Sequence, residues 1–569
     1  MFKLRRFLKH YKKELILGPF FKLLEAIFEL AVPLVMAQII DKGIGNNDSD
    51  YVWKMSGLIV VLGICGLGFA LTCQFFAAKC AYGFGTELRD ALYKHINKFS
   101  HAEIDRFGTS SLITRITNDT VLAQNGVNMF IRLAVRAPFL IVGAAVMSMT
   151  LDLKLSIIFL IAAPIITLII VWVMKKTVPM YKKIQKGLDK ISLLTRENLD
   201  GVRVIRAFSK QEEEKKELIN ESGRLSDNAV IAGKISAILN PVTFMIMNLG
   251  IVAILWFGGI RVDTGYLTQG EITAFVNYMT QILLALVVLA NLVIIFTKAA
   301  SSASRINEVF DTQPSMTDGS DTKFDFSSPA VEFENVSFSY PDAGDLSLNN
   351  ISFTLKKGEI LGIIGGTGSG KSTLANLVPR FYDITSGNIK IFGNDIKKYS
   401  MEELRKLIGI VPQRAALFSG TIADNMRWGK PDATDQEIIS ALKIAQAWEF
   451  VSKLTDGIKT NISQGGKNLS GGQRQRLTIA RALVGNPPVV ILDDSMSALD
   501  YATDLALRKA IESELKDTAV IMISQRATTL QNANHILVLD NGEAAGYGIH
   551  ETLLKNCEEY AEIYKSQMS

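Results

Sequence analysis

The chain has 569 residues, and its 61 Lys and Arg residues nearly balance its 56 Asp and Glu residues. The formal charge of +5 excludes a basic nucleic-acid-binding arm and an acidic tail, and 43 Gly with 14 Pro exclude a collagen-like or disordered chain. The mean hydropathy of +0.22 is high for a soluble protein and indicates that apolar residues are concentrated in part of the chain. Four cysteines are too few for a disulfide framework, and we interpret them as small packing residues.

Long apolar stretches in the first half predict six membrane-spanning helices, because a helix needs about 20 apolar residues to cross a bilayer. Four of these stretches contain no charged residue: 55–78, 155–174, 235–260 and 272–297. Two further stretches, 15–40 and 127–150, are apolar apart from a small set of charged side chains: Lys22, Glu25, Glu29, Arg132 and Arg136. An even number of spans places both chain termini on the same side of the membrane.

The distribution of Lys and Arg predicts the orientation, because basic residues near a membrane are retained in the cytoplasm. The connections 79–127 and 175–234 carry six and fourteen Lys or Arg, whereas the three short connections carry two, one and one. We therefore expect the long connections and both termini to be cytoplasmic. The first thirteen residues contain six Lys or Arg and no acid, which predicts a basic amphipathic helix on the inner surface and not a cleavable signal.

Both long connections predict helices that continue beyond the membrane. Apolar residues recur at helical spacing through 88–96 and again through 184–194. Each connection also contains a break suited to a tight turn, at 106–109 and at 198–201. The sequence therefore predicts two helical hairpins that extend into the cytoplasm and contact another part of the protein there.

Beyond Lys298 the hydropathy falls, and a polar stretch at 312–321 indicates a linker. We therefore divide the chain into a membrane domain at 1–310, a linker at 311–325 and a soluble α/β domain at 326–569. The α/β expectation depends on strand-like apolar runs that alternate with helix-like segments.

The soluble domain contains a glycine-rich loop between a predicted strand at 360–364 and a predicted helix that includes 374–377. In such phosphate-binding loops, glycines let backbone N–H groups surround the phosphates, and the helix N-terminus adds its dipole. Lys371 would reach the terminal phosphates, and Ser372 would ligate Mg²⁺. The loop consists of Gly365, Gly366, Thr367, Gly368, Ser369, Gly370, Lys371, Ser372 and Thr373.

A second apolar strand is predicted at 489–492, and it ends in Asp493 and Asp494. A carboxylate at the end of a buried strand that faces a phosphate loop can hold Mg²⁺ through water, and the next residue can address the attacking water. Alone, this pattern is weak evidence for a nucleotide site. Its position about 120 residues after the phosphate loop makes the evidence stronger.

The residues 469–473, Leu-Ser-Gly-Gly-Gln, resemble the signature sequence of ABC (ATP-binding cassette) ATPases. Six spans followed by such a domain resemble a half-size ABC exporter over essentially the whole chain. The resemblance implies an all-α six-helix transmembrane domain of the exporter type fused to an α/β nucleotide-binding domain. It also implies ATP and Mg²⁺ as ligands, and it makes the turns at 106–109 and 198–201 correspond to the coupling helices of such exporters.

The same resemblance assigns roles to residues outside the phosphate loop. Tyr340 would stack on adenine, Gln413 would lie near Mg²⁺ and near the contact with the membrane domain, and Asp493 would be the magnesium aspartate. Asp500 belongs to a loop at 497–500 that would cross between two nucleotide-binding domains. The signature would contribute four residues to nucleotide binding: Ser470, Gly471, Gly472 and Gln473.

The position of the signature predicts a dimer. Ser470 and the two glycines after it precede a predicted helix, whose N-terminus can bind an anion. They lie too far along the chain from Lys371 to serve the same phosphates without a partner. In the family, each nucleotide lies between the phosphate loop of one subunit and the signature of the other, so we expect a second half-transporter subunit.

Three positions depart from the family pattern. Asp494 stands where an active domain usually has Glu, Gln525 stands where the family has a switch histidine, and Gln464 stands where Glu is common. Aspartate is shorter by one methylene, and glutamine cannot titrate near neutral pH. A general base contributes about 10²–10⁴-fold to a rate, so the site built on this chain's loop should bind MgATP and hydrolyse it slowly.

We favour a heterodimeric exporter in which this chain is the subunit with the degenerate site and supplies an intact signature to its partner. The alternatives are a sluggish homodimeric exporter and a regulatory membrane subunit that does not transport. Cargo is expected to be amphipathic, and drugs, lipids and unprocessed peptides all fit this description. The short external loops suit a bacterial inner membrane, and the spans exclude a soluble ABC ATPase of DNA repair, so no nucleic-acid partner is expected.

The charged residues in two of the spans allow two interpretations. Glu25 and Glu29 lie one helical turn apart, as do Arg132 and Arg136, so each pair forms a stripe on one helix face. Charges in lipid are costly and should face one another or a watery cavity. The stripes could therefore form Glu–Arg pairs between helices, or they could contact cargo.

Overall fold

The structure is a computed structural model that describes residues 2–341 and 343–568. The chain forms two compact units. The first consists of Met1–Asn97 and Ser110–Thr312, and the second consists of Lys98–Thr109 and Gln313–Ser569.

The described part of the chain contains six helices that are long and apolar enough to cross a membrane, which confirms the six predicted spans. Two short helices, α3 and α6, occupy the breaks between them. The first eight helices are α1 (Lys3–Ile44), α2 (Ser49–Ile96), α3 (His101–Phe107), α4 (Thr109–Leu151), α5 (Ile157–Asp200), α6 (Val202–Ala207), α7 (Gln211–Asp263) and α8 (Gln269–Asp311).

Helix α2 is 48 residues long and α5 is 44 residues long. At about 1.5 Å per residue they extend over roughly 65–70 Å, which is more than twice the ~30 Å hydrocarbon core of a bilayer. The predicted continuation of the helices through 88–96 and 184–194 is therefore confirmed. The beginning of α1, together with Phe2, forms a 3-10 helix, Phe2–Tyr11, in which Leu4 is buried.

Both predicted breaks are present. Helix α3 begins after Ser100, whose hydroxyl accepts a hydrogen bond from the N–H of Ala102 at 3.2 Å, and it ends at Gly108 with a φ of 74°. A left-handed φ of this kind favours glycine, because a side chain there is strained. The second break follows Asp200, where α6 forms a single short helix with no buried residue.

Two ion pairs involve the charged side chains that the sequence places within the apolar stretches. Arg136 Nη2 of α4 donates to Glu29 Oε2 of α1 at 2.7 Å, which is one of the Glu–Arg pairs that the sequence suggested. Glu25 instead pairs with Lys22 of its own helix, at 2.6 Å. Glu25 thus has an i,i+3 partner on the same helix face, which was neither of the two interpretations that the sequence left open.

The second unit contains a six-stranded sheet in the order β12-β11-β3-β10-β9-β6, a four-stranded antiparallel sheet in the order β2-β1-β4-β5, and a short β7-β8 pair. The strands are β1 (Val331–Phe338), β2 (Leu348–Leu355), β3 (Ile360–Gly365), β4 (Ser386–Ile391), β5 (Asn394–Asp395), β6 (Ile408–Val411), β7 (Gly420–Thr421), β8 (Asn461–Ile462), β9 (Val489–Asp493), β10 (Ala519–Ile523), β11 (His535–Asp540) and β12 (Glu543–Gly548).

Helices cover the six-stranded sheet, in which all pairings except β11–β12 are parallel. They are α9 (Lys371–Leu377), α10 (Met401–Lys406), α11 (Ile422–Met426), α12 (Asp435–Ile444), α13 (Trp448–Val451), α14 (Gly471–Leu483), α15 (Tyr501–Glu514), α16 (Ala527–Leu530), α17 (His550–Asn556) and α18 (Glu558–Met568). This is the predicted α/β fold. Because β3, β9 and β10 are adjacent and parallel, the residues that follow them meet at one edge of the sheet, where ligands bind in open α/β sheets.

The predicted linker is hydrogen-bonded to the second unit over part of its length. The N–H of Gly319 donates to Tyr399 O at 3.2 Å, and the N–H of Ser320 donates to Lys398 O at 3.0 Å. The N–H of Met401 donates to Asp318 Oδ1 at 2.7 Å. The segment 318–320 therefore packs as part of this unit, although its composition resembles that of a loop.

Candidate nucleotide site

The glycine-rich loop connects the end of β3 to the start of α9. Gly368 and Gly370 have φ values of 85° and 97°, in the left-handed region that L side chains rarely adopt. At Gly370 a Cβ atom would also lie only 2.8 Å from the carbonyl oxygen of Ser347. Glycine is therefore required there for both conformation and space.

Lys371 is the first residue of α9 and is buried. Its ammonium group donates to Gly365 O at 2.9 Å, to Gly366 O at 2.5 Å and to Ser369 Oγ at 3.3 Å. Burial lowers the pKa of Lys371, whereas the nearby Asp494 and Asp493 raise it. A cation inside a loop of backbone groups fits a polyphosphate, whose oxygens are stronger acceptors for an ammonium than neutral carbonyls are.

Ser372 and Asp493 form the second part of the site. The hydroxyl of Ser372 donates to Asp493 Oδ1 at 3.2 Å, so the two predicted magnesium ligands are adjacent. Burial raises the pKa of Asp493, whereas the hydrogen bond from Ser372 and the charge of Lys371 lower it. One hydroxyl and one carboxylate fit Mg²⁺, which is usually bound by one or two protein ligands together with substrate phosphates and water.

Asp494 follows β9 with a left-handed φ of 44°, a conformation that aspartate tolerates better than most residues. Its N–H donates to Ile523 O of the neighbouring β10 at 3.1 Å, which fixes the backbone. Gln413 Nε2 lies 3.5 Å from Asp494 Oδ2. Burial raises the pKa of Asp494, so its carboxylate is more basic than that of an exposed aspartate.

These groups surround one cavity of about 650 Å³. The predicted site residues that line it are Tyr340, Thr367, Gly368, Gly370, Lys371, Ser372, Thr373, Gln413, Asp493, Asp494 and Gln525. The structure therefore brings together the loop, the two aspartates and the two glutamines from the ends of four strands, β3, β6, β9 and β10. Gly365, Gly366 and Ser369 contact Lys371 from within the loop.

Tyr340 stands at the wall of this cavity. Its hydroxyl lies 3.1 Å from Thr373 Oγ1, and its ring packs edge-on against Phe338 and Tyr382 with centroids 4.9 and 5.2 Å away. The ring is thus held in place by its neighbours and presents a surface to the cavity.

The signature residues and Asp500 lie outside the lining of this cavity. Ser470 precedes α14, its hydroxyl accepts from the N–H of Gln473 at 3.2 Å, and Gln473 Oε1 accepts from the N–H of Ser470 at 2.9 Å. The two side chains cap the helix reciprocally, as predicted for a helix start. Asp500 accepts from the N–H and the hydroxyl of Thr503 at 2.9 and 2.8 Å, so its carboxylate caps α15.

Sequence reasoning missed several lining residues: Asp345, Leu346, Ser347, Asn541 and Gly542. Asn541 and Gly542 form the turn between β11 and β12, with φ values of 45° and 83°. An Asn-Gly pair between two strands is a strong hairpin signal, so the turn itself was detectable. Its place at the site depends on the strand order, which no local pattern contains.

Helix α3 packs inside the second unit. The His101 ring stacks on Phe381 with centroids 4.4 Å apart, and the hydroxyl of Tyr382 donates to Asp105 Oδ2 at 2.6 Å. Burial lowers the pKa of His101, and the neighbouring Arg405 lowers it further. The helix at the first break therefore contacts the α/β domain, and Tyr382, which bonds to it, also packs edge-on against Tyr340 at the nucleotide cavity.

Comparisons with known proteins agree with this architecture. A family model described as the ABC transporter transmembrane region matches residues 15–287, and one described as ABC transporter matches residues 348–497. An uncharacterized ABC transporter ATP-binding protein of Mycobacterium tuberculosis is 37% identical over 99% of this chain and 97% of its own length. The ATP-dependent lipid A-core flippase of Haemophilus influenzae is 32% identical over 99% and 96%.

A solved structure of a bacterial Atm1-family ABC exporter with ATP bound has the same fold, with a TM-score of 0.81, 24% identity and 98% coverage of both chains. The alignments with the full-length relatives span both parts of this chain. The chain therefore belongs to the ABC transporter family, as a half-size exporter in which a six-helix transmembrane domain is fused to an ABC ATPase domain that drives transport.

Proposed function

We propose that this chain is one subunit of a heterodimeric exporter in the bacterial inner membrane, with both termini in the cytoplasm. Its own nucleotide site binds MgATP and hydrolyses it slowly, and its signature completes the catalytic site of the partner. The observation that carries this proposal is the composition of the 650 Å³ cavity. The groups that bind phosphate and Mg²⁺ are complete there, while the two positions that support hydrolysis hold Asp494 and Gln525.

In this proposal Lys371 and the loop N–H groups bind the phosphates, and the Tyr340 ring supports adenine. Ser372, Asp493 and Gln413 would hold Mg²⁺, which neutralises charge on the phosphates when it is bound. Asp494 polarises the attacking water poorly, because its carboxylate is withdrawn by about one C–C bond, ~1.5 Å, relative to glutamate. Gln525 contacts the terminal phosphate as a hydrogen-bond donor without carrying charge.

The signature supports a second subunit. Ser470 and the two glycines after it begin a helix of 13 residues, and they lie outside the lining of this chain's own cavity. A side chain added at Gly471 would meet nothing within 4 Å, so this helix start is open. The phosphates that it serves therefore belong to a nucleotide on another subunit.

An amphipathic cargo is supported by a cavity of about 340 Å³ within the membrane unit. Its walls are apolar, with Val32, Pro33 and Met36 of α1 and Ile59 of α2. Polar groups stand beside them: Glu29 of α1 and Asn277 and Gln281 of α8. A pocket that is mostly apolar with a few polar groups suits a molecule with an apolar body and a polar head.

The test is to purify the tagged chain from its native membrane and to identify by mass spectrometry whether the second subunit differs. ATP-dependent uptake into inside-out vesicles then separates an exporter from a regulatory subunit, since only an exporter concentrates cargo. Robust ATP hydrolysis by this chain alone as a homodimer would contradict the heterodimer. A complex that hydrolyses ATP at a normal rate but accumulates no amphipathic cargo would support the regulatory alternative.

A further inference from the structure

Gln525 has open space on two sides. It lines the nucleotide cavity, and it also lines a second cavity of about 510 Å³, which shares Asp494 with the first. The Gln525 side chain is also exposed, so surrounding packing constrains its direction little. Its direction must therefore be set by the backbone from which it extends.

That backbone is held by the last turn of α18. Gln567 Nε2 donates to the carbonyl oxygen of Gln525 at 2.7 Å, and Gln567 Oε1 accepts from the N–H of Ala527 at 2.8 Å. One amide side chain thus satisfies a backbone acceptor and a backbone donor two residues apart. We call this pair of hydrogen bonds the clamp. Both bonds have good lengths, and together they fix the peptide groups on either side of Arg526.

The helix that carries Gln567 is itself fixed to the domain by a second contact. Tyr560 of α18 is fully buried, and its hydroxyl lies 2.7 Å from His550 Nδ1 of α17. Tyr560 therefore fixes α18 to the domain about two helical turns before Gln567.

We propose that Gln567 is a positioning residue for Gln525, so that the C-terminal helix sets how this chain's nucleotide site holds the terminal phosphate. The inference rests on the proposed phosphate contact of Gln525. Loss of the clamp lets the Gln525 side chain turn toward the second cavity, and bound ATP is then released faster.

The decisive variant is Gln567→Glu. The carboxylate keeps an acceptor for the N–H of Ala527, but it cannot donate to Gln525 O and places two acceptors against each other. In the complete reconstituted transporter, 8-azido-ATP is bound and chased with unlabelled ATP before photolabelling of this chain. We expect Gln567→Glu to accelerate release about three- to tenfold, which corresponds to the loss of one hydrogen bond. Glu562→Gln, at an exposed residue of the same helix, is the matched control and should leave release unchanged.

A double-mutant cycle separates positioning from general stability. If Gln567 acts through Gln525, then Gln567→Glu changes nothing further in a Gln525→Ala background. An equal acceleration in both backgrounds would overturn the positioning role. Amide exchange at Ala527 gives a direct readout, since it should rise in Gln567→Ala and stay slow in Gln567→Glu.

The outcomes also separate this inference from the proposed function. If Gln525→Ala slows or accelerates release but Gln567→Glu does not, the positioning role of Gln567 is wrong, whereas the phosphate contact of Gln525 stands. If Gln525→Ala leaves release unchanged, the phosphate contact itself fails, and the role of Gln567 at the site fails with it.

Discussion

At the scale of single residues, the nucleotide site depends on a few side chains whose neighbours determine their chemistry. Lys371 is buried among the carbonyl groups of its own loop, and Asp493 accepts from Ser372. Asp494 stands one residue further along in a left-handed conformation, close to Gln413. The residues proposed to bind phosphate differ from those proposed to support hydrolysis, so we expect mutation to separate the two capacities.

Replacing Lys371→Ala should weaken ATP binding at this chain's own site. The substitution removes a buried cation, and hydrogen bonds to charged groups are worth about 1.5–3 kcal/mol, so we expect affinity to fall roughly 10- to 100-fold. Photolabelling of this chain with 8-azido-ATP over a range of concentrations measures the change. Transport should slow without loss of the partner's hydrolysis, and unchanged labelling would show that Lys371 does not reach the phosphates.

The combined change Asp494→Glu with Gln525→His should restore hydrolysis at this site. It supplies a carboxylate of longer reach and an imidazole at the phosphate, and a general base contributes about 10²–10⁴-fold. Each change alone should do less, because both act on one transition state and are not additive. Turnover is measured in complexes whose partner carries Gln in place of its catalytic Glu. If no hydrolysis returns there, the two departures are not the reason for the slow site.

At the scale of secondary-structure elements, the short helix α3 packs against the α/β domain. Helix α3 is held by the stacked pair His101 and Phe381 and by the hydrogen bond from Tyr382 to Asp105. Its start is fixed by Ser100 and its end by Gly108, so its length is set by local capping. The attachment of α3 therefore depends on the imidazole ring of His101, which can take up a proton.

The attachment of α3 should weaken as the pH falls below about 6.5. Burial and Arg405 lower the pKa of His101 in the folded protein, so the unfolded or detached state binds the proton more strongly. The stability that this contact contributes is fully present above the unfolded pKa of ~6.5. It is lost as the pH falls through the lower pKa of the folded state and His101 takes up a proton. Thermal unfolding of the full chain at pH 5.5 and 7.5 measures the effect.

The matched variant is His101→Phe, which keeps an aromatic ring against Phe381 and cannot titrate. It should reduce the difference in Tm between pH 5.5 and 7.5. Asp105 favours the charged form of His101 and so opposes the effects of burial and Arg405. An unchanged difference in Tm would assign the pH dependence to groups other than His101.

At the scale of the whole molecule, the signature should serve a nucleotide that this chain does not itself bind. Helix α14 begins at an open position next to Ser470, outside the 650 Å³ cavity. Substitution of Ser470→Arg adds bulk at an anion-binding helix start and displaces the phosphate from its backbone donors.

We expect Ser470→Arg to reduce steady-state ATP hydrolysis of the complex at least tenfold, a larger effect than that of Lys371→Ala. Under the proposed function, the two variants act on different composite sites of one assembly. ATP hydrolysis by purified complexes measures both. If Ser470→Arg keeps the wild-type rate, this signature does not face a competent site, and the heterodimer proposal loses its main support.

The sequence by itself determined the six spans, the continuation of the helices beyond a bilayer, the phosphate loop and the helix start at Ser470. Each is a local pattern: an apolar run, a helical period or a glycine spacing reports on residues that are close along the chain. The placement of Gln413 and Gln525 beside the loop was implied by family resemblance, and the strand order β3-β10-β9-β6 is what brings them there.

Only the tertiary structure decided the pairing of Glu25 with Lys22, the packing of the segment 318–320 and the clamp of Gln567 on Gln525. It also placed the Asn541-Gly542 turn at the cavity. These contacts join residues that are distant in sequence or that have several available partners. Which partner a side chain meets depends on sheet register and helix rotation, and many arrangements satisfy the same local pattern.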